Sequence, residues 1–336
     1  NQITNEPLGV DGLAWSPDGA RIAYRADVAA DQAATGAPKP TAPPSTSGSL
    51  SPSVARRIRY REDGAGWRGD QFRHIFVADL RSRTITQLTF GEGNDGAPVW
   101  SPDGQRIAYL SDQNPFRETT ARNDVYVVPA AGGAPDRRSG GLFMAGSIAW
   151  SPDGERLAVT GAERPQDAGG YGLLCQSWVY VLEPGSYPAR LTDDSLRPAA
   201  STTGQAVGVD LPQLKWTSGG QVVFLADARG QSYVCEVSSG GVQVRRITAG
   251  GCQITAWAGD EAGKSAIVVE ATPSSPGDLF AVDLANGAQR KLTSFNDGYL
   301  AGHPPARLEK FTFRQEGYDI ECRLWLPPDF DLSRRY

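Results

Sequence analysis

Six arginines crowd one stretch of this 336-residue chain: Arg56, Arg57, Arg59, Arg61, Arg68 and Arg73, in "RRIRYREDGAGWRGDQFRH". A guanidinium presents a rigid fork of donors that can grip a carboxylate or backbone carbonyls in bidentate fashion. These residues are therefore candidates for holding an anionic or peptide-like ligand. Arg61 or its Arg neighbours, beside the "DGAG" turn, are expected to orient it. Arg117 and Arg122 in "NPFRETTARND" form a second, weaker pair of candidates. The competing reading is structural, since most surface charges are simply solvated or paired. On that reading the arginines pair with Glu62, Asp63 and Asp70 and order the end of a flexible insertion.

Other reactive residue types are sparse. The G-x-S-x-G nucleophile elbow does not occur. Its nearest approach, "GQSYV" at Gly230–Val234, has Val234 where the last glycine should stand. His74 precedes a strand and His303 sits in a "GHPP" loop, neither with a nucleophile nearby in sequence. The four cysteines, Cys175, Cys235, Cys252 and Cys322, form no CxxC pair, so no metal site and no cofactor are expected. No catalytic residue is expected in this chain. The net charge of −5 argues against a nucleic-acid footprint. No apolar run approaches the ~18 residues needed to cross a bilayer, so no membrane partner is expected and the reading is cytoplasmic. A leader upstream of "NQIT" and homo-oligomerisation are both left open.

The elements that would position the arginines come from a repeat. "WSPDG" occurs at Trp15–Gly19, Trp100–Gly104 and Trp150–Gly154, with degraded copies led by Trp216 and Trp257. Pro fixes φ at the second position of a type I turn, Asp bonds nearby amides, and Gly closes the turn. The leading indole offers apolar surface between neighbouring units. Each WSPDG copy is followed by an alternating segment such as "RIAY", with Ile22 and Tyr24 on one face and Ala23 and Arg25 on the other. A hairpin-like phrase such as "DLFAVDLANGAQRKLT" comes next. Four short strands in about 40–50 residues make one blade of a β-propeller. The expected fold is all-β: five visible four-stranded blades, part of a seven-bladed propeller. The 39 glycines and 24 prolines suit so many tight turns.

Residues 31–53, rich in Ala, Pro, Ser and Thr, read as a flexible insertion. The opening "NQIT" resembles the "QLT", "RLT" and "KLT" that close other blades, so it is expected to be the last strand of a blade that starts upstream. From residue 306 the repeat gives way to "RLEKFTFRQEGYDIECRLWLPPDFDLSRRY", two alternating strands and a Pro-Pro loop.

The WSPDG repeats resemble both TolB-like propellers and the propeller of the prolyl oligopeptidase family of serine peptidases. The segment "EKFTFRQEGYDIECRLWLPPDFDLSRRY" resembles the exit of that family's propeller into its α/β-hydrolase domain. "YREDGAGW" (Tyr60–Trp67) is similar to a phrase of its acylaminoacyl-peptidase branch. The resemblance implies a propeller over 1–305 and the start of an α/β-hydrolase domain over 306–336. It further implies hydrolysis of short or N-acylated peptides by Ser, His and Asp lying outside this chain. The propeller would gate access of oligopeptide substrates and would have the catalytic domain as its partner. A TolB-like or WD-repeat-like interaction module is the alternative. A sugar-binding propeller is disfavoured, because the tryptophans sit at strand ends rather than cluster on loops.

Overall fold

The structure, a computed structural model, describes residues 2–6, 9–29, 55–62, 66–67, 69–163, 176–198, 214–241 and 243–335. The expected insertion at 31–53 lies outside them. The first sheet begins with β1 (Asp11–Trp15) and β2 (Arg21–Ala29). A hairpin of β3 (Arg61–Glu62) and β4 (Gly66–Trp67) intervenes before β5 (Gln71–Asp79) and β6 (Ile85–Gln87) complete it. The second sheet comprises β7 (Val99–Trp100), β8 (Arg106–Ser111), β9 (Asp124–Pro129) and β10 (Asp136–Arg137). The third comprises β11 (Met144–Trp150), β12 (Leu157–Ala162), β13 (Trp178–Leu182) and β14 (Ala189–Arg190).

In the fourth sheet two short strands, β15 (Arg197–Pro198) and β16 (Leu214–Trp216), share the inner edge of β17 (Gln221–Ala228). Beyond it lie β18 (Gln231–Ser238) and β19 (Arg245–Arg246). The fifth sheet runs β20 (Gln253–Gly259), β21 (Ser265–Thr272), β22 (Ser275–Asp283) and β23 (Gln289–Lys291). A six-residue helix, α1 (Asp297–Gly302), then leads to an isolated hairpin of β24 (Arg307–Gln315) and β25 (Tyr318–Leu326). Helix α1 is not among the elements expected from sequence.

All sheet pairings are antiparallel and follow chain order from the inner strand outward, so the chain is a series of meanders packed face to face. The middle strands of the second, third and fourth sheets are largely apolar because both faces are covered. In "QVVFLADA", Val222 and Phe224 pack toward the third sheet while Val223 and Leu225 pack toward the fifth. Ala23 of the first sheet likewise meets Trp100 of the second, and Tyr24 lies on the opposite face.

The WSPDG turn forms as its letters predict. Gly19, Gly104 and Gly154 donate their amides to the carbonyls of Ser16, Ser101 and Ser151 at 2.8–2.9 Å, with φ between +66° and +73°. That φ region is open to glycine at little cost. Each serine hydroxyl donates to the aspartate two residues on, and that carboxylate also accepts the amide two residues further along. The serine hydroxyl first, then the backbone amide, hold Asp18, Asp103 and Asp153 below the usual carboxylate range. A carboxylate depressed in the folded state stabilises the fold above its unfolded pKa of about 3.9, and the contribution fades as pH falls through the folded value. In Ser101→Ala, Asp103 is therefore expected to titrate nearer the ordinary range in a carboxyl-carbon NMR titration. The acid-unfolding midpoint should move to higher pH, with neutral-pH folding intact.

The same turns link the blades. Trp100 Nε1 donates to Ala14 O and Trp150 Nε1 to Val99 O, each at 3.0 Å into the preceding sheet. The arginine near the start of the previous second strand returns the contact. Arg21 lies 4.7 Å from the Trp100 ring centre, Arg106 5.2 Å from Trp150 and Arg156 5.0 Å from Trp216. Arg21 and Arg106 also donate to Gly104 O and Gly154 O at 2.7 and 2.8 Å. Stacking of this kind contributes ~0.5–2 kcal/mol depending on desolvation.

Residues 2–6, expected to form a closing strand, carry no strand. They lie beside Ala78 and Ile85 of the first sheet, and Tyr24 Oη donates to Glu6. With no partner strand described on their other side, their backbone groups have no ladder to join.

Candidate functional site

Strand direction alternates within each sheet, so the links from second to third strand and from outer strand to the next inner strand emerge at one end. The WSPDG turns emerge at the other. The arginines singled out in the sequence belong to the first of these ends. Residues 55–60 approach it from the first sheet, and residues 112–123 from the second.

Arg57 Nε donates to Glu118 Oε1 at 2.9 Å and its Nη1 to Gln71 O at 2.8 Å, with the guanidinium 4.3 Å from the Phe72 ring centre. The amide of Arg59 donates to the other Glu118 oxygen at 3.0 Å. The Arg59 side chain reaches Thr120 O at 2.5 Å and Asp112 at 3.9 Å. Arg73 pairs with Asp27 at 3.6 Å, and Arg117 pairs with Glu92 at 2.5 Å. Arg56 pairs with Asp70 at 3.4 Å. From sequence the partners are expected to be local, at Glu62, Asp63 and Asp70. Asp70 takes that role for Arg56, the Glu62 and Asp63 side chains are outside those described, and Arg57 and Arg59 meet Glu118, contributed by the neighbouring sheet.

Arg61 is exposed on β3 opposite Trp67, whose ring packs on Tyr60 with centroids 5.2 Å apart. Arg68 lies outside the described residues. Arg122 is half-buried. Its carbonyl accepts from Asn114 Nδ2 at 3.0 Å, yet its Nε is buried with no hydrogen-bond partner among the described residues. Arg59, Arg73 and Arg117 each face an acid, whereas no acid among the described residues is paired with Arg122.

Burial pushes Glu118 up, but the hydrogen bonds from Arg59 and Arg57 and the nearby positive charges more than offset it, leaving the carboxyl below its usual range. Asp112 shows the opposite balance. Burial dominates and raises it, although Asn94 donates to both its oxygens. Neither acid is a candidate in the sequence, because each meets its arginine only through the packing of two sheets.

His74, a strand neighbour in the sequence, is fully buried beneath this end. Its Nδ1 lies 3.0 Å from Asp95 Oδ2, and its Nε2 3.0 Å from Gly91 O. Asp95 N in turn donates to Arg73 O at 2.9 Å. With no solvent access His74 cannot meet a substrate, so its role is to pin the link between the first and second sheets. His303 is exposed and stacks on Tyr299. Burial raises the thiol of Cys235 to about 12, and burial with the Glu270 carboxylate raises Cys252 to about 11. Neither is a nucleophile at neutral pH. Cys175 lies outside the described residues. Among the described residues no cluster of His, Cys, Asp and Glu is placed to hold a metal, and no helix is long and apolar enough to cross a membrane.

The C-terminal hairpin touches this same end. Arg323 Nη2 donates to Gly230 O at 2.8 Å, on the tight Arg229–Gly230 turn between β17 and β18. Both turn residues have positive φ, the geometry favoured in two-residue hairpins. Pairing puts Phe311 with Cys322 and Phe313 with Ile320, so these share one face with Tyr318 and Leu324. Lys310, Thr312, Glu321 and Arg323 share the other. On that face Phe311, Phe313, Tyr318, Ile320 and Leu324 are exposed, while Cys322 is half-buried and Leu326 is buried. This end of the molecule thus gathers the arginines and their acids, and it abuts a hairpin with an exposed apolar patch.

No family model matches the sequence. Among curated proteins, dipeptidyl-peptidase 5 of Porphyromonas endodontalis is 25% identical over 354 residues, spanning 100% of this chain and 47% of that protein. An uncharacterized peptidase of Bacillus subtilis is 23% identical over 127 residues, 38% of this chain and 19% of that protein. Among solved structures, an acylaminoacyl peptidase bound to Z-Gly-Gly-Phe-chloromethyl ketone superposes with a TM-score of 0.68 at 17% identity, covering 97% of this chain and 44% of that one. The acylaminoacyl peptidase of Pyrococcus horikoshii gives 0.64 at 16% identity, covering 93% and 43%. A TolB protein of Agrobacterium tumefaciens gives 0.53 at 16% identity, covering 87% and 83%. The chain thus spans less than half the length of the peptidases it matches. Its sheets have the fold of their propellers, a fold shared with TolB, and the curated relatives it matches are peptidases.

Proposed function

We propose that this chain is the propeller portion of a serine peptidase of the prolyl oligopeptidase family, of acylaminoacyl-peptidase type, acting on short or N-acylated peptides. Residues 1–305 form the propeller. The propeller is seven-bladed when whole, and residues 306–336 begin the α/β-hydrolase domain. The observation that carries the reading is the two-faced hairpin of β24 and β25. Its polar face rests on the propeller through Arg323, and its exposed apolar face needs a domain to cover it, which a lone propeller would not supply. Exposed apolar strands left bare are a liability that folded proteins avoid.

Acyl transfer requires a serine nucleophile, a histidine base and oxyanion donors, all placed in the remainder of the polypeptide. The contribution of this chain is to bind and to admit. Its link-bearing end faces the hydrolase domain, so a peptide reaching the catalytic serine passes Arg122 and Arg61. Arg57 and Arg59, tied to Glu118, hold the wall through which it passes. Arg73 and Arg117 belong to the same wall.

A fluorophosphonate probe is expected to label the intact protein at one serine outside residues 1–336, with loss of acyl-peptide hydrolysis. Absence of labelling favours the TolB-like interaction module, the reading supported by the 83% of a TolB chain that this fold covers. In the same assay Arg122→Ala should lower kcat/KM for peptides ending in a free carboxylate by about 10- to 100-fold, the value of one or two charge-assisted hydrogen bonds. Labelling should be unchanged.

A further inference from the structure

The tryptophans that head the second to fifth sheets are buried where one sheet meets the next. Trp67 heads no sheet. It stands on the β3–β4 hairpin, which pairs with no strand of the five sheets, and it is 48% exposed. Its ring is braced all the same. Tyr60, itself 40% exposed, packs against it with the ring planes at 57°. The backbone of Gly69 lies close as well, since a Cβ added there would stand 3.4 Å from the indole Nε1. An exposed aromatic corner held in this way serves no core.

Two residues before Tyr60, Ile58 is 67% exposed in a turn fixed from both sides. The Glu118 carboxylate accepts from Arg57 Nε with one oxygen and from the Arg59 amide with the other, so both flanks of Ile58 are tied to one group. Gln71 O and Thr120 O take further donors of the two guanidiniums, and the Phe72 ring lies under the first. Single apolar side chains are common on protein surfaces. A clamp from a neighbouring sheet that holds one outward, within two residues of a half-bare ring pair, is different. It has the layout of a binding surface, with contact groups outside and locked charged supports beneath.

We infer that Ile58, Tyr60 and Trp67 form an apolar subsite for a bulky side chain of the peptide, remote from the bond that is cut, with Glu118 as its positioning residue. The inference rests on the peptidase reading and names the kind of peptide that site prefers. Arg61 is exposed opposite Trp67 in the hairpin, so donor and rings alternate here as carbonyls and side chains alternate along an extended peptide. A domain packed permanently on the hairpin would have to bury that guanidinium, which is costly without a partner.

Two N-acylated peptides identical around the cut bond, with Phe or Ala at the residue farthest from it, test the subsite on the intact protein. The Phe peptide should be preferred about 10-fold in kcat/KM, through KM, the scale of one apolar contact in a pocket. Trp67→Ala and Ile58→Ala should each bring that ratio to about threefold or less, and a ratio cancels any general loss of folded enzyme. Trp67→Phe should keep most of the preference. Glu118→Ala should lower it without touching substrate, and Glu118→Gln, which keeps one acceptor, should restore part of it. A second readout needs no catalysis. With fluorotryptophan incorporated, the fluorine NMR resonance that Trp67→Phe removes should shift on adding the Phe peptide N-methylated at the cut bond, and not with its Ala counterpart. Equal kcat/KM for the two peptides overturns the subsite. So does a preference that survives both Trp67→Ala and Ile58→Ala, or an unmoved Trp67 resonance. A shift in a protein that cleaves neither peptide keeps the subsite and overturns the peptidase reading instead.

Discussion

Trp150→Ala is expected to lower the stability of the protein by about 3–5 kcal/mol, the range for emptying an aromatic site in a packed core. The indole is 6% exposed and packs among Ala108, Val127, Leu157 and Tyr180, which come from two different sheets. Truncation removes its bond to Val99 O and takes the surface from under the Arg106 guanidinium. Arg106 keeps Gly154 O as an acceptor but loses its orientation. The surroundings cannot collapse into the gap without moving one sheet against the other, which places the loss toward the upper end of the range. Urea denaturation followed by circular dichroism measures it. Tyr187→Ala, on an exposed turn, should stay within about 0.5 kcal/mol of the parent. A loss under about 1 kcal/mol for Trp150→Ala, well below the range for an emptied aromatic site, would mean that these tryptophans do not bind the blades together.

The surroundings of Trp150 also separate what can be read from sequence from what cannot. The WSPDG turn is local, so Ser101, Pro102, Asp103 and Gly104 announce it within a few residues, and the alternation of "RIAY" assigns its faces. The clamp built on that turn is not local. Arg21 meets Gly104 across 83 residues, and nothing in the spacing says that the arginine of one repeat serves the tryptophan of the next. The candidate site divides in the same way. Clustering of Arg57, Arg59 and Arg61 is visible in the chain. Glu118, which fixes two of them, comes from the next sheet and looks like any surface glutamate. Arg122 stands out in the sequence only as a cation in a loop, and packing alone shows its Nε buried without a hydrogen-bond partner among the described residues. The helix α1 is six residues with no buried side chain, so it has no apolar stripe to betray it.

Asp95→Ala is expected to be the second costly change, by about 3–5 kcal/mol, because it strips the partner from a buried, charge-bearing pair. His74 has a partner at each ring nitrogen, the Asp95 carboxylate at 3.0 Å and Gly91 O at 3.0 Å. Both side chains are fully buried, and water cannot replace the lost carboxylate. The consequence reaches the candidate site through the backbone. Asp95 N holds Arg73 O, Asn94 Oδ1 accepts from Arg73 N at 3.2 Å, and Asn94 N donates to Asp112 at 2.6 Å, the acid that faces Arg59. Loosening Asp95 should therefore loosen the wall that carries the arginines. Asp95→Asn separates the two effects, since its amide keeps the shape and one acceptor but removes the charge. It should lose less stability than Asp95→Ala while keeping the chain of backbone bonds. In the intact protein, peptide turnover should then fall for Asp95→Ala mainly through a raised KM, and stay near the parent for Asp95→Asn. Equal KM in the two variants would show that the buried pair supports the fold without shaping the site.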